Sequence, residues 1–294
     1  MTVRPRRSVL YMPGSNARAL EKAKTLAADT LILDLEDAVA PDVKTAARAQ
    51  VCEAVAQGGY GKRELVIRVN GLESQWGMDD LKAAARSAPA AILVPKVSED
   101  DDIKAVSDAL DEAGAPEGLR IWAMMETPLA MLNARKIARA AKKHPRFECM
   151  VMGTNDLAKE TGAGLGEGRL AMLPWLMTCL AAARAYGLVI VDGVYNDFRD
   201  EAGCIAECQQ GKLIGMDGKT LIHPGQIEPA NVAFAPSEDD VAAAREIIAA
   251  FELPENKGLG AINLNGRMVE LLHCEVAKKT VALHKAIEAM EQAA

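Results

Sequence analysis

Two carboxylates close to the ends of neighbouring β-prone segments are the main chemical signal in this sequence. Glu126 ends the run LRIWAMME, and Asp156 lies three residues after the run FECMVMG. Glu36 and Asp37 directly follow a third run, TLILDL. Carboxylates without nearby His or Cys ligands favour a hard cation such as Mg²⁺ or Mn²⁺ over Zn²⁺. We therefore predict a metal site formed by Glu126 and Asp156, with the other two carboxylates behind it. Two plainer interpretations stay open, a helix cap at Asp156 and a surface charge at Glu126.

Two cationic residues accompany these carboxylates. Arg68 stands in ELVIRVNG, where an unpaired guanidinium is costly to bury. It could clamp a substrate carboxylate or a developing enolate oxygen, or it could form a structural ion pair with Glu36 and Asp37. Lys96, in VPKV, is expected to neutralise or support the acidic residues. A Schiff-base role for this lysine is less favoured beside a metal site.

A third group of residues, close to the amino terminus, suits a phosphorylated ligand. A turn precedes Ser15, which can cap the following helix, and Arg18 and Lys22 lie four residues apart on one face of that helix. A helix amino terminus with two cations favours phosphate, and an ordinary solvated helix face is the alternative. The glycine-rich run TGAGLGEGR (161–169) does not join a strand to a helix in a βαβ unit. We interpret it as a flexible loop rather than a dinucleotide site.

The apolar pattern of the chain predicts the scaffold that positions these residues. Eight short runs are nearly continuously apolar, as expected for strands buried on both faces of a parallel sheet. They are residues 8–12, 30–35, 64–69, 90–97, 119–126, 147–153, 188–194 and 212–216. Amphipathic helical segments such as 17–28 and 43–56 separate them. The pattern predicts an α/β fold of the (β/α)8 TIM-barrel type, with functional residues at the carboxyl ends of the strands. An open doubly wound sheet is the alternative.

The pattern changes after residue 224, where we predict no further strands. Residues 237–240 fit a capping box that opens a helix. A glycine-punctuated segment (258–270) and a last helix follow. We therefore predict a barrel domain over residues 1–228 and a C-terminal helical lid or oligomerisation segment over residues 229–294.

Charge and composition exclude several classes of function. The 294 residues include 34 basic and 41 acidic side chains, which give a formal net charge of −7. A nucleic-acid-binding surface needs a basic excess, so we expect no nucleic-acid partner. No signal peptide is recognised, no apolar stretch is long enough to span a membrane, and the six cysteines form no CxxC pair. We expect a cytoplasmic protein without membrane association.

Nine short segments, spread in order along the chain, form a specific pattern. They are RSVLYMPG, LDLEDAVAP, VIRVNG, ILVPKV, METP, MGTNDL, VDGVYNDFRD, GKTLIHPGQI and GLGAINLNGRMVE. In these segments the chain resembles the citrate lyase beta-subunit-like family of CoA ester lyases in the HpcH/HpaI aldolase superfamily, which includes citramalyl-CoA and malyl-CoA lyases. The resemblance implies a barrel with a C-terminal lid, Mg²⁺, coenzyme A as part of the substrate, and a homotrimer or a dimer of trimers.

The resemblance also implies roles for particular residues. Glu126 and Asp156 would bind Mg²⁺, and Arg68 would contact the substrate. The residues that would contact the coenzyme A ligand or the substrate are Tyr11, Arg18, Lys22, Val191 and Asp192. One position departs from the family pattern, because the catalytic carboxylate of the lid is usually Asp and is Glu270 here. This side chain would be donated across subunits.

Together these observations predict a Mg²⁺-dependent carbon–carbon lyase. It would cleave citramalyl-CoA or malyl-CoA type esters reversibly to acetyl-CoA and a 2-oxo acid, pyruvate or glyoxylate. Arg68 would stabilise the enolate oxygen, and Glu270 would exchange a proton with the enolate carbon. Three alternatives stay open: a malyl-CoA thioesterase, a citrate lyase beta subunit, and a CoA-ester-binding regulatory protein that lost turnover through Glu270.

Overall fold

Eight parallel strands close into a barrel in the computed structural model, which describes residues 3–292. The strands follow one another around the barrel in sequence order, and β8 pairs with β1 to close it. The strands are β1 (Ser8–Pro13), β2 (Thr30–Asp34), β3 (Glu64–Arg68), β4 (Ala91–Val94), β5 (Arg120–Met125), β6 (Phe147–Met152), β7 (Val189–Asp192) and β8 (Gly218–Leu221). The predicted (β/α)8 barrel is confirmed.

Helices alternate with the strands and continue beyond them. They are α1 (Ala17–Ala23), α2 (Lys44–Gln57), α3 (Gly77–Ser87), α4 (Asp100–Glu112), α5 (Pro128–Arg139), α6 (Thr154–Thr161), α7 (Leu173–Tyr186), α8 (Glu201–Ile214), α9 (Ile227–Phe234), α10 (Glu238–Glu252) and α11 (Leu271–Glu291). Within residues 3–292, none of these helices combines the length and the apolar character needed to cross a membrane.

The strand residues pack in two separate clusters because successive side chains point to opposite faces. One cluster contains strand residues alone, among them Val9, Ile32 and Trp122. The larger cluster joins the opposite strand faces, such as Leu10 and Leu31, to the surrounding helices. Both faces are therefore apolar, which explains the nearly continuous apolar runs in the sequence.

The eighth predicted strand is wrong. Residues 212–214 belong to α8, which ends at Gly215 in the left-handed conformation with φ 105°. The strand is instead Gly218–Leu221, all four residues of which are buried. A short apolar run such as KLIGM fits the end of a helix as well as a strand. The actual strand, GKTL, contains a lysine and therefore does not stand out as an apolar run. Lys219 is 0% exposed.

The chain forms two compact units. Within the described residues, one of them consists of residues 235–292 together with residues 3–5. This unit contains α10, which begins with the predicted capping box of Ser237 and Asp240, and α11. The expectation that no strands follow residue 224 is wrong, because β9 (Ala261–Leu264) and β10 (Arg267–Glu270) form an antiparallel hairpin. The turn residues Asn265 and Gly266 have φ values of 53° and 80°. An Asn-Gly pair flanked by segments with alternating apolar residues is a recognised signal for this turn.

The unit of residues 6–234 contains the barrel and α9. The predicted domain boundary at residue 228 falls within this helix and stays a prediction.

Candidate active site

Lys96 lies between the two predicted metal ligands. It follows β4, Glu126 directly follows β5, and Asp156 lies in the first turn of α6, after β6. The Lys96 ammonium is 2.7 Å from Asp156 Oδ1 and 3.9 Å from Glu126 Oε1. Its backbone N–H also donates to Glu126 Oε1 at 2.8 Å. Three consecutive strands of the barrel therefore bring both carboxylates to a single cation.

Glu126 is held in a tightly packed position. Its side chain is 1% exposed, whereas that of Asp156 is 28% exposed. Gly153, directly after β6, has no side chain, and a Cβ there would lie 2.4 Å from Glu126 Cβ and 2.6 Å from Glu126 Oε2. Burial raises the pKa of Glu126 above its ordinary value, although the nearby Lys96 charge opposes that shift. The buried carboxylate is stabilised by positive charge close to it.

A second ion-pair cluster surrounds Arg68 at the end of β3. The Arg68 guanidinium binds Asp34 at two points, Nε to Oδ1 and Nη2 to Oδ2, both at 2.7 Å. Its Nη1 lies 2.7 Å from Glu36 Oε2 and 3.5 Å from Asp37 Oδ2. The Glu36 contact is an ion pair without hydrogen-bond geometry. The ion-pair interpretation of Arg68 thus has a structural basis, and its principal partner is Asp34.

The sequence placed Asp34 at the end of a strand beside Glu36 and Asp37 but gave it no role in the site. It ends β2, and the strand register places it opposite Arg68. Facing positions of this kind on adjacent strands are the signal that could have identified the pair. The Tyr11 ring covers the same guanidinium, with its centroid 4.9 Å from Arg68 Cζ. Burial raises the pKa of Tyr11 above its ordinary value and raises the pKa of Glu36 to about 8.

The residues predicted for phosphate lie on α1. Arg18 and Lys22 are both exposed and make no ion pair with any residue in the described range 3–292. The helix is capped by Asn16, whose side chain accepts the Ala19 N–H at 3.1 Å. The expectation that Ser15 caps this helix is therefore wrong. The side chains of Arg18 and Lys22 have the accessibility that binding a large anionic ligand needs.

Asp192, at the end of β7, belongs to a buried ionic network. Its carboxylate accepts hydrogen bonds from Arg169 Nη1 at 2.8 and 3.0 Å and from Lys219 Nζ at 3.3 Å. Lys219 also donates to Glu207 at 2.6 Å. Asp192 and the adjacent Val191 are both 0% exposed. Arg169 belongs to the glycine-rich segment interpreted as a flexible loop, and sequence reasoning missed its partnership with Asp192.

Glu270 belongs to the C-terminal unit. It ends β10 and precedes α11, and its side chain is exposed. Its backbone N–H donates to His273 Nδ1 at 2.9 Å. Glu270 and His273 form a capping box at the start of α11, in which the Glu270 carboxylate faces the His273 backbone N–H while the side chain stays exposed.

The two predicted metal ligands, Glu126 and Asp156, match the chemistry of Mg²⁺. Among residues 3–292, no three His, Cys, Asp or Glu side chains are grouped as a metal site. Mg²⁺ does not need such a set, since one or two carboxylates with water and substrate oxygens complete its coordination. The two carboxylates already share the positive charge of Lys96. Glu126 and Asp156 therefore fit a hard divalent cation.

Comparison with known proteins identifies the family. Residues 7–224 match the model of the HpcH/HpaI aldolase/citrate lyase family. The chain belongs to this family. It is similar to the protein CitE from Mycobacterium tuberculosis, solved in complex with magnesium, acetoacetate and coenzyme A. That structure has a TM-score of 0.73 and 26% identity, covering 97% of this chain and 100% of the other.

Two groups of sequence relatives from Cereibacter sphaeroides differ in their activity. A (3S)-malyl-CoA thioesterase is 52% identical over 285 residues, covering 97% of this chain and 96% of the relative. An L-malyl-CoA/beta-methylmalyl-CoA lyase, with the same coverage of both chains, is 36% identical. The prediction of a carbon–carbon lyase is therefore contradicted. The relatives favour the thioesterase that the sequence left open as an alternative.

Proposed function

We propose that this protein is a Mg²⁺-dependent thioesterase that hydrolyses (3S)-malyl-CoA. Water would add to the thioester carbonyl carbon, the carbon–sulfur bond would break, and malate and free coenzyme A would form. The observation that carries the proposal is the 52% identity to a (3S)-malyl-CoA thioesterase over nearly the whole of both chains.

The excess of acidic over basic side chains at the site favours the binding of an additional cation. Five carboxyl groups lie around two cationic side chains, Arg68 and Lys96; they are Asp34, Glu36, Asp37, Glu126 and Asp156. A malyl-CoA substrate carries a carboxylate of its own, which such an acidic cluster would repel. Mg²⁺ bound by Glu126 and Asp156 would supply positive charge for the substrate oxygens and polarise the carbonyl group.

The remaining site residues would bind and orient the substrate. We propose that Arg68, fixed by Asp34, presents its charge to a substrate carboxylate or carbonyl oxygen. Glu36 and Asp37 would hold the Nη1 side of the guanidinium in place.

The coenzyme A part of the substrate would be bound by other residues. Exposed Arg18 and Lys22 would attract the phosphates of coenzyme A, and Tyr11 would pack against the ligand. Val191 and Asp192 would form the wall of the substrate site through their backbone, since their side chains are buried.

Glu270 is proposed as the carboxylate that exchanges a proton with the attacking water or the leaving thiol. In keeping with the family resemblance, we propose a cytoplasmic homotrimer, or a dimer of trimers, in which this carboxylate is donated across subunits. The side chain is exposed at the β10–α11 junction, which leaves it accessible for this role.

Product analysis tests the proposed reaction. The protein is incubated with (3S)-malyl-CoA and Mg²⁺, and free thiol, malate, acetyl-CoA and glyoxylate are measured in the same sample. Equal amounts of free thiol and malate are expected. Formation of acetyl-CoA and glyoxylate without malate would overturn the proposal, and so would unchanged substrate. A parallel incubation with acetyl-CoA distinguishes a malyl-specific thioesterase from an unspecific one.

A further inference from the structure

The position of Lys96 between the metal-binding carboxylates has a consequence for metal binding. Its ammonium is in direct contact with Asp156 Oδ1 and within 3.9 Å of Glu126 Oε1. A divalent cation held by the same two carboxylates would bring a second positive charge close to this ammonium. Two cations held close together in this way repel each other.

The backbone of Lys96 is fixed separately from its side chain. Lys96 has φ 55°, in the left-handed region that side-chain-bearing residues rarely adopt, and its N–H donates to Glu126 Oε1. This bond positions Glu126 whether or not the ammonium is present. The side chain is 35% exposed, and its long stem allows the ammonium to move away from Asp156.

The other cation of the site is not free to move in this way. Arg68 is bound to Asp34 at two points and is 7% exposed. Lys96 is joined to Asp156 by one hydrogen bond and is much more exposed. The exchangeable positive charge at the carboxylates is therefore that of Lys96.

We propose that Lys96 is an internal counter-cation that occupies the metal-binding carboxylates in the metal-free protein and is displaced when the divalent cation binds. This inference rests on the metal site of the proposed function. Lys96 then keeps the acidic site neutralised in the absence of metal and weakens metal binding by competition. Removal of its charge strengthens metal binding.

The test is direct measurement of Mn²⁺ binding, by calorimetry or by electron paramagnetic resonance, to the substrate-free protein. The variant Lys96→Met keeps the backbone N–H and loses the ammonium. Its dissociation constant for Mn²⁺ is expected to fall at least about tenfold. The reason is that an ammonium ~4 Å from a doubly charged ion repels that ion appreciably even in water. Lys96→Arg, which keeps the charge, is expected to bind Mn²⁺ no more tightly than the wild type.

A matched control is Lys104→Met, which removes a lysine from an exposed pair with Asp108 on α4. It is expected to leave Mn²⁺ binding unchanged. Equal or weaker binding by Lys96→Met would overturn the inference, since the ammonium would then not compete with the metal. Absence of binding by both the wild type and Lys96→Met would overturn the metal site as well. Thioester hydrolysis is not part of this measurement, so failure of the proposed reaction is detected separately.

Discussion

Arg68 and Asp34, at the facing ends of β3 and β2, form a two-point ion pair with both N–O distances at 2.7 Å. Asp34 is 1% exposed, so its charge has no compensation from water. Arg68 keeps a weaker contact with Asp37, whose side chain is 69% exposed. The three residues provide a comparison between a buried and an exposed partner of one guanidinium.

We expect Asp34→Asn to lower the free energy of unfolding by ~3 kcal/mol, because it leaves a buried guanidinium without its main partner. Turnover of malyl-CoA is expected to fall by about 100-fold as Arg68 loses its fixed orientation. Asp37→Asn is the control and should change the free energy of unfolding by less than about 1 kcal/mol. Urea denaturation and thiol release measure both effects. Similar losses of stability in the two variants would contradict the assignment of Asp34 as the principal partner.

Glu126→Gln is expected to abolish Mg²⁺-dependent hydrolysis with little change in the fold. Glutamine keeps the shape of the side chain and an oxygen that can accept the Lys96 N–H, but it loses the charge that binds the metal. Thiol release with and without Mg²⁺ measures the activity, and circular dichroism checks the fold. Full Mg²⁺-dependent turnover in this variant would exclude Glu126 as a metal ligand.

Gly153→Ala tests the close packing against Glu126. The added Cβ would lie within 2.6 Å of two Glu126 atoms, and this displaces the carboxylate from its position. We expect turnover to decrease by at least about 100-fold, since a shift of ~1 Å at a catalytic group has effects of this size. Gly164→Ala is the control because nothing lies within 4 Å of a Cβ at that position. Equal turnover in the two variants would contradict the steric argument.

Asp192→Asn tests the buried network of β7 and β8 through its pH dependence. Burial alone would raise the pKa of Asp192, but the charges of Lys219 and Arg169 bring it below its ordinary value. The ionised carboxylate therefore contributes stability above about pH 4, and this contribution is lost as the pH falls through the lowered pKa. We expect Asp192→Asn to lower the free energy of unfolding by ~3 kcal/mol near neutral pH.

The difference between wild type and Asp192→Asn should become smaller as the pH falls below about 4. Urea denaturation over a pH series measures it. A difference that is constant or grows on acidification would contradict the assigned charges of the network.

Mixed subunits test the proposed donation of Glu270 across subunits. Glu126→Gln and Glu270→Ala are each expected to be nearly inactive alone. Co-expression in equal amounts should restore about a quarter of wild-type turnover, because random assembly pairs an intact Glu126 with an intact neighbouring Glu270 at about one site in four. Restored turnover no greater than the sum of the single variants would contradict donation across subunits. Size-exclusion chromatography with light scattering establishes the oligomer in each sample.

The sequence by itself determined the type of fold and where polar residues collect. Seven of the eight strands follow from local apolar runs, because a strand buried on both faces must be apolar at nearly every position. The sequence could predict that Glu126 and Asp156 lie close together, because the carboxyl ends of parallel strands in a barrel meet on one rim. Two of the local errors have local causes. The run KLIGM fits a helix end as well as a strand, and the Asn265–Gly266 turn was not used as a hairpin signal.

Only the tertiary structure decided which charges pair with each other. Asp34 rather than Glu36 or Asp37 is the two-point partner of Arg68, and Lys96 bridges Glu126 and Asp156. Asp192, expected at the substrate, has its carboxylate bound by Arg169 and Lys219. Ion pairs depend on distances of a few ångströms between side chains that are far apart in sequence, and on the burial that makes each pair strong. Spacing along the chain specifies neither quantity.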